Sequence, residues 1–141
     1  MNFLLDTNGV SEWTKPRPNP GLVAWLDQVD EDRVLLSVVT LAELRSGVER
    51  MASGASRERL QVWLGDQLPR RFDGRILTVD LETADIWGRL MASAATAGRT
   101  LGAMDGLLAA TAARHELTLV TRNMAHFETL GPALLNPWSE A

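Results

Sequence analysis

Phe3-Leu4-Leu5-Asp6-Thr7-Asn8 is the stretch on which the reading of this chain turns. Three apolar residues, the length of a short buried strand, run directly into a carboxylate, a hydroxyl and an amide. In open parallel α/β sheets, ligands bind outside the carboxyl ends of the strands, so a buried strand that ends on an acid is a candidate site. What matters next is which other polar groups the chain returns to that edge.

Outward from this stretch, Gly9 to Thr14 reads as a short helix, broken by the prolines of Lys15-Pro16-Arg17-Pro18-Asn19-Pro20. Asn19 reads as an N-cap with Pro20 at the first helical position, and Leu22, Val23, Trp25, Leu26 and Val29 give a helical stripe. Val34 to Val38 is the second expected strand. Thr40-Leu41-Ala42-Glu43 fits a capping box opening a helix that stops near Gly54, and Ser56 reads as the cap of a helix carrying Leu60, Trp63, Leu64 and Leu68. Pro69 to Gly74 is expected to turn into a third strand, Arg75 to Val79, with Asp80 capping a helix that runs to Gly98. Met104 to Ala112 gives a small-residue helix with Asp105 in its first turn. Leu117 to Val120 is the fourth strand, and Leu134-Leu135 a weak edge strand.

At 141 residues with 45% hydrophobic and 23% charged content, the expectation is one soluble domain spanning 1–141. Asp6 interrupts the apolar start and no apolar run approaches the roughly 20 residues of a membrane span, so a cytoplasmic protein without a membrane partner is expected. The chain has no cysteine and only two histidines, which excludes disulfides and thiolate metal sites and leaves oxygen as the donor for any metal. Its net charge of -4 argues against coating nucleic acid through the overall field.

Strands alternating with helices predict an α/β fold, a parallel sheet of four to five strands with helices on both faces. Helix amino termini then lie at the carboxyl edge of the sheet. Asp6 ends the first strand, Glu43 follows the second, Asp105 opens the helix feeding the fourth, and Asn123 follows the fourth. Carboxylates gathered there repel one another, by about 4 kcal/mol per pair at 4 Å and an effective dielectric near 20, unless a cation or protons intervene. Hard oxygen donors match magnesium or manganese, which can assist phosphodiester hydrolysis. Taken singly, each residue has a plainer reading: Glu43 completes the capping box, Asp105 complements the helix dipole, Asn123 caps a turn, and His126 is a surface or packing histidine.

Together, Phe3 to Asn8, Ser37 to Leu44, Asp105 with Ala109-Ala110-Thr111-Ala112, Leu119 to Phe127, and the terminal Asn136-Pro137-Trp138 resemble the PIN-domain toxins of the VapC group, especially its FitB-like branch. The resemblance spans essentially the whole chain. It implies a PIN-like three-layer α/β/α domain and a ribonuclease dependent on magnesium or manganese, acting as the toxin of a type II toxin–antitoxin system. Asp6, Glu43 and Asp105 resemble the metal-binding acids, Asn123 falls where a fourth acid is common, and Thr7, Asn8 and Thr121 are accessory candidates. The resemblance also implies an RNA substrate, a homodimer, and a cognate VapB/FitA-like antitoxin that joins it in a complex on operator DNA.

Four positions depart from the pattern. Gly9 and Gly106 stand beside the acids where larger residues are usual, and at about 1 kcal/mol per helical glycine they are expected to loosen the site. Asn123 removes a charge and His126 stands where an acid is frequent, so one metal is expected rather than two. Two other readings compete. A phosphatase with Asp6 as nucleophile wants a second acid where Asn8 stands, and a catalytically weak PIN-like module would only pair with an antitoxin or RNA.

Overall fold

The computed structural model describes residues 1–139. Five strands form one sheet in the order β3-β2-β1-β4-β5, every neighbouring pair parallel. They are β1 (Phe3–Leu5), β2 (Val34–Ser37), β3 (Ile76–Leu77), β4 (Thr118–Val120) and β5 (Leu134–Leu135). Strand β1 is central, with Leu4 opposite Leu35 on one side and Leu119 on the other.

Alternation along the strands gives the three layers. Leu4 and Leu5 are both fully buried but join different clusters, since successive side chains leave opposite faces of a strand. Leu5, Val34, Leu36 and Val120 pack with Val10, Leu22, Leu44, Leu64, Phe72 and Trp138. Leu4 and Leu119 pack on the other face with Val39, Leu108, Ala109, Ala112 and Phe127. A fold whose central strand is buried on both faces reads as a continuous apolar run, which is how Phe3-Leu4-Leu5 is written.

The helices are α1 (Thr7–Trp13), α2 (Pro20–Gln28), α3 (Val38–Glu49), α4 (Ala55–Val62), α5 (Leu68–Arg71), α6 (Leu81–Thr96), α7 (Ala103–Arg114) and α8 (Met124–Phe127). Asn19 caps α2 by accepting from the N–H groups of Gly21 and Leu22, and Asp80 caps α6 by accepting from Thr83, as the sequence predicts. Among the described residues no helix is long and apolar enough to cross a membrane.

Several expected boundaries shift, each for a local reason. Helix α1 opens at Thr7 rather than Gly9, because the Asp6 carboxylate itself is the N-cap. Helix α3 opens at Val38, capped by Ser37 Oγ on the Val39 N–H at 3.0 Å. This displaces the capping box: Thr40 and Glu43 already lie inside the helix. Strand β3 keeps only two of its five expected residues, since β2 ends at Ser37 opposite Leu77 and offers Thr78 and Val79 no partner. Gly54, not Ser56, holds the cap position of α4, without a side-chain bond. Where one long helix and then a turn at Pro69 were expected, Trp63–Gln67 widens into a π-helical segment followed by α5. Pro69 donates no hydrogen bond and its ring crowds the carbonyl four residues back, so the Leu68 N–H reaches the Trp63 carbonyl instead.

The two glycines tighten the structure instead of loosening it. A Cβ on Gly106 would stand 2.9 Å from Met91 Sδ and 3.1 Å from two indole atoms of Trp87, so α7 and α6 approach through the missing side chain. Trp87 is fixed there by its Nε1, which donates to the Ala103 carbonyl at 3.0 Å. Gly106→Ala therefore sets two effects against each other: about 1 kcal/mol gained in helix propensity, and roughly 1–3 kcal/mol lost to overpacking. Urea unfolding is expected to show a net loss; a variant as stable as the parent or more so would contradict the close approach.

Candidate active site

Asp6 is 3% exposed at the end of β1. Its Oδ1 accepts from the Gly9 N–H at 2.8 Å, and the Thr121 hydroxyl also hydrogen-bonds to the carboxylate. Thr121 stands directly after β4, the strand paired to β1, so the sheet order supplies that hydroxyl. Gly9 packs closely at its place. A Cβ there would meet Leu5 Cγ at 2.9 Å and Asp6 Oδ1 at 3.3 Å, on the side where the N–H must reach the carboxylate.

Burial pushes the Asp6 carboxyl up from its ordinary 3.8 to about 6. The hydrogen bonds from Thr121 and Gly9 oppose the rise, and the nearby charges of Asp105 and Glu43 add to it. The carboxylate is thus held by donors that favour charge, in surroundings that disfavour it.

Glu43 reaches the site from the second turn of α3. Thr7 Oγ1 donates to Glu43 Oε1 at 2.6 Å and lies 3.1 Å from Thr40 Oγ1. A hydroxyl carries one proton, so with Thr7 donating to the carboxylate, Thr40 donates to Thr7. The chain Thr40, Thr7, Glu43 ties the start of α1 to α3. Thr40 and Glu43 are three residues apart on one helix and so share a face; the same spacing suggested a capping box.

Asp105 lies in the first turn of α7, half-buried, with His126 Nδ1 3.6 Å from its Oδ2. Asn123 occupies the cap position of α8, yet its side chain makes no cap bond; its backbone N–H donates to Thr121 Oγ1 at 3.0 Å. All four expected residues, with Thr7 and Asn8, line one pocket of about 80 Å³ at the carboxyl edge of the sheet. Leu108 and Phe127, both 2% exposed, complete its wall and were not anticipated. Their spacing carried a signal: Leu108 is one turn from Asp105, and Phe127 one turn from Asn123.

The pocket is not a closed metal cage. Among the described residues no three of aspartate, glutamate and histidine are arranged to hold an ion between them. Glu43 is turned to Thr7 and Asp6 to Gly9 and Thr121.

The raised pKa of the Asp6 carboxyl makes the stability of the fold depend on pH. The native state binds this proton more tightly than the unfolded chain, so the contribution is favourable at low pH and is lost as pH rises from about 4 through 6, by up to about 3 kcal/mol. Asp6→Asn removes the titration. In chelator, its stability is expected to match the parent near pH 4 and to exceed it progressively toward pH 7, measured by denaturant unfolding. Parallel curves across that range would contradict the account.

Comparison with known proteins identifies the family and the fold. Residues 3–129 match the PIN domain. The toxin FitB of Neisseria gonorrhoeae is 41% identical over 98% of this chain and 99% of its own. The VapC ribonuclease Y4jK of Sinorhizobium fredii is 38% identical over 99% of each. The crystal structure of FitAcB from Neisseria gonorrhoeae superposes with a TM-score of 0.89 at 41% identity, covering 96% of this chain and 98% of that one. On the domain match and these near full-length relatives, the chain belongs to the PIN-domain family, in the group of the FitB and VapC toxins.

Proposed function

We propose that the protein is a metal-dependent endoribonuclease, the toxin of a type II toxin–antitoxin pair. The observation that carries this reading is the single pocket lined by Asp6, Glu43 and Asp105, in which Asp6 is buried beside two other acids. A relative named as a ribonuclease and another named as a toxin support it.

The donor set fits magnesium or manganese. Both take hard oxygen ligands, and magnesium characteristically binds one or two carboxylates directly and keeps several waters, so a closed cage is not required. One or two of Asp6, Asp105 and Glu43 would bind the ion directly and the remaining acid through its waters, and the ion would supply positive charge to polarise a phosphodiester oxygen and to acidify a water. Gly9 N–H and the Thr121 hydroxyl keep Asp6 charged and aimed. Thr40 and Thr7 fix the Glu43 carboxylate, while Leu108 and Phe127 exclude bulk water from one side. Asn123 offers an amide in place of a fourth acid, which suits one ion rather than two.

Cleavage of single-stranded RNA is expected with magnesium or manganese and not with calcium or excess chelator. Loss of an outer-shell partner typically costs 10–100-fold, so Asp6→Ala or Asp105→Ala, which remove a ligand, should cost more than about a hundredfold with the fold retained. Undiminished cleavage by both variants would sink the mechanism. A second reading, a catalytically weak module that only pairs with an antitoxin or RNA, is favoured by Asn123 and by the open arrangement of the acids; absence of cleavage in both metals, with RNA or antitoxin still bound, would establish it.

Asn123→Asp separates the two readings of that position. As a site residue it should lower the metal concentration for half-maximal cleavage, whereas as a cap alone it should leave the metal curve unchanged. A homodimer bound by a cognate antitoxin completes the proposal, and light scattering giving a monomer at high micromolar concentration would contradict the dimer.

A further inference from the structure

Next to the acid pocket lies a second cleft, of about 390 Å³, and the two share Asn8 and Asn123 as a common wall. Their linings differ in sign. The acid pocket has three carboxylates and no lysine or arginine; the second cleft has Lys15 and Arg122 against the single carboxylate of Glu12. Lys15 is the only lysine in the chain.

This cleft is built, not incidental. Glu12 is 9% exposed at the end of α1 and accepts from Lys15 Nζ at 3.1 Å, from the Asn19 N–H at 3.0 Å and from the Trp138 side chain. One carboxylate thereby gathers three walls: α1, the proline-rich loop and the C-terminal segment. Asn19 closes the joint, its Oδ1 accepting from the Ser139 N–H at 2.8 Å and its Nδ2 donating to the Ser139 carbonyl at 2.9 Å. Glu12 takes one of the three donors of the Lys15 ammonium, and the lysine side chain stays 60% exposed. The ammonium is held in place with donors to spare.

We propose that this cleft is a nucleotide subsite of the same active site: it takes the phosphodiester adjoining the one that enters the acid pocket, with Lys15 as its phosphate contact and Glu12 as the residue that positions Lys15. The proposal rests on the nuclease reading above. An RNA strand crossing three carboxylates meets repulsion on both sides of the metal, and the neighbouring cleft is where this pair of pockets offers cations. Its volume also suits a nucleotide-sized group. Asn8 and Asn123, amides on the dividing wall, can donate to phosphate or sugar oxygens without adding charge.

The test is binding of a fluorescently labelled single-stranded RNA octamer to the full chain in calcium, across a series of potassium chloride concentrations. Each phosphate contact to a single strand contributes about 0.7 to the slope of log affinity against log salt. Lys15→Gln is expected to weaken binding three- to tenfold at low salt and to reduce the slope by about 0.7, while Lys15→Arg keeps both. Arg89→Gln, which removes the same charge from the exposed surface of α6 outside the cleft, should leave the slope unchanged. An unaltered slope in Lys15→Gln, an equal drop in Arg89→Gln, or no RNA binding by the parent would overturn the subsite. Cleavage of the same octamer in magnesium and manganese keeps the two ideas apart. A parent that binds with a Lys15-dependent slope but never cuts refutes the nuclease and leaves the subsite. A parent that cuts, with neither slope nor KM moved by Lys15→Gln, does the reverse.

Discussion

The Asp6 carboxylate, buried at the end of the central strand, is the constraint on which the rest of this structure depends. Buried charge is costly unless it is hydrogen-bonded, and both of its donors come from the fold around it. The Gly9 N–H is available because Asp6 caps α1; the Thr121 hydroxyl is available because β4 pairs with β1 in register, Leu5 opposite Val120. The two bonds do not cancel the cost of burial, which is why the group titrates near 6.

The same atoms therefore serve helix geometry and site geometry. Asp6 Oδ1 satisfies a donor that every helix start leaves unpaired, and in doing so aims the carboxylate. Thr7, the first residue of α1, spends its hydroxyl on Glu43 and not on its own helix, so α1 and α3 are joined through a side chain of the candidate site. The start of α1 and the acids of the candidate site are thus held by the same side chains. Glu12 repeats the pattern at the other end of α1, where one acid binds a lysine, a loop N–H and the C-terminal tryptophan.

Much of this was legible because it is local. The apolar run into Asp6, the Asn19 and Asp80 caps, the edge strand at Leu134-Leu135 and the small-residue helix opening at Asp105 are written in short stretches, and the carboxyl-edge rule was enough to bring Asp6, Glu43, Asp105 and Asn123 to one pocket. The start of α3 was not legible, since Ser37 and Thr40 are both able caps and the choice depends on where β2 runs out of pairing with β3. Gly9 and Gly106 looked like weak points because propensity is a property of one helix, whereas their worth lies in the neighbours they admit. The burial of Glu12 was beyond reach for the same reason: its partner Trp138 returns from the far end of the chain.

The distribution of charge sets how such a site can recruit an anionic substrate. The chain carries a net -4, so its long-range field offers RNA no attraction, and at physiological salt fields between exposed charges fade beyond about 8 Å in any case. On the nuclease reading, attraction has to be local and arises in two adjoining places: the ion among Asp6, Glu43 and Asp105, and the Lys15 and Arg122 side of the neighbouring cleft. On that reading the acid pocket without an ion would repel a phosphate, and the cationic cleft would stand beside three uncompensated carboxylates. With it, the two pockets would present adjoining sites along one strand. On that reading metal occupancy would govern substrate affinity as well as chemistry, with the proton and the ion competing for the buried Asp6 carboxylate.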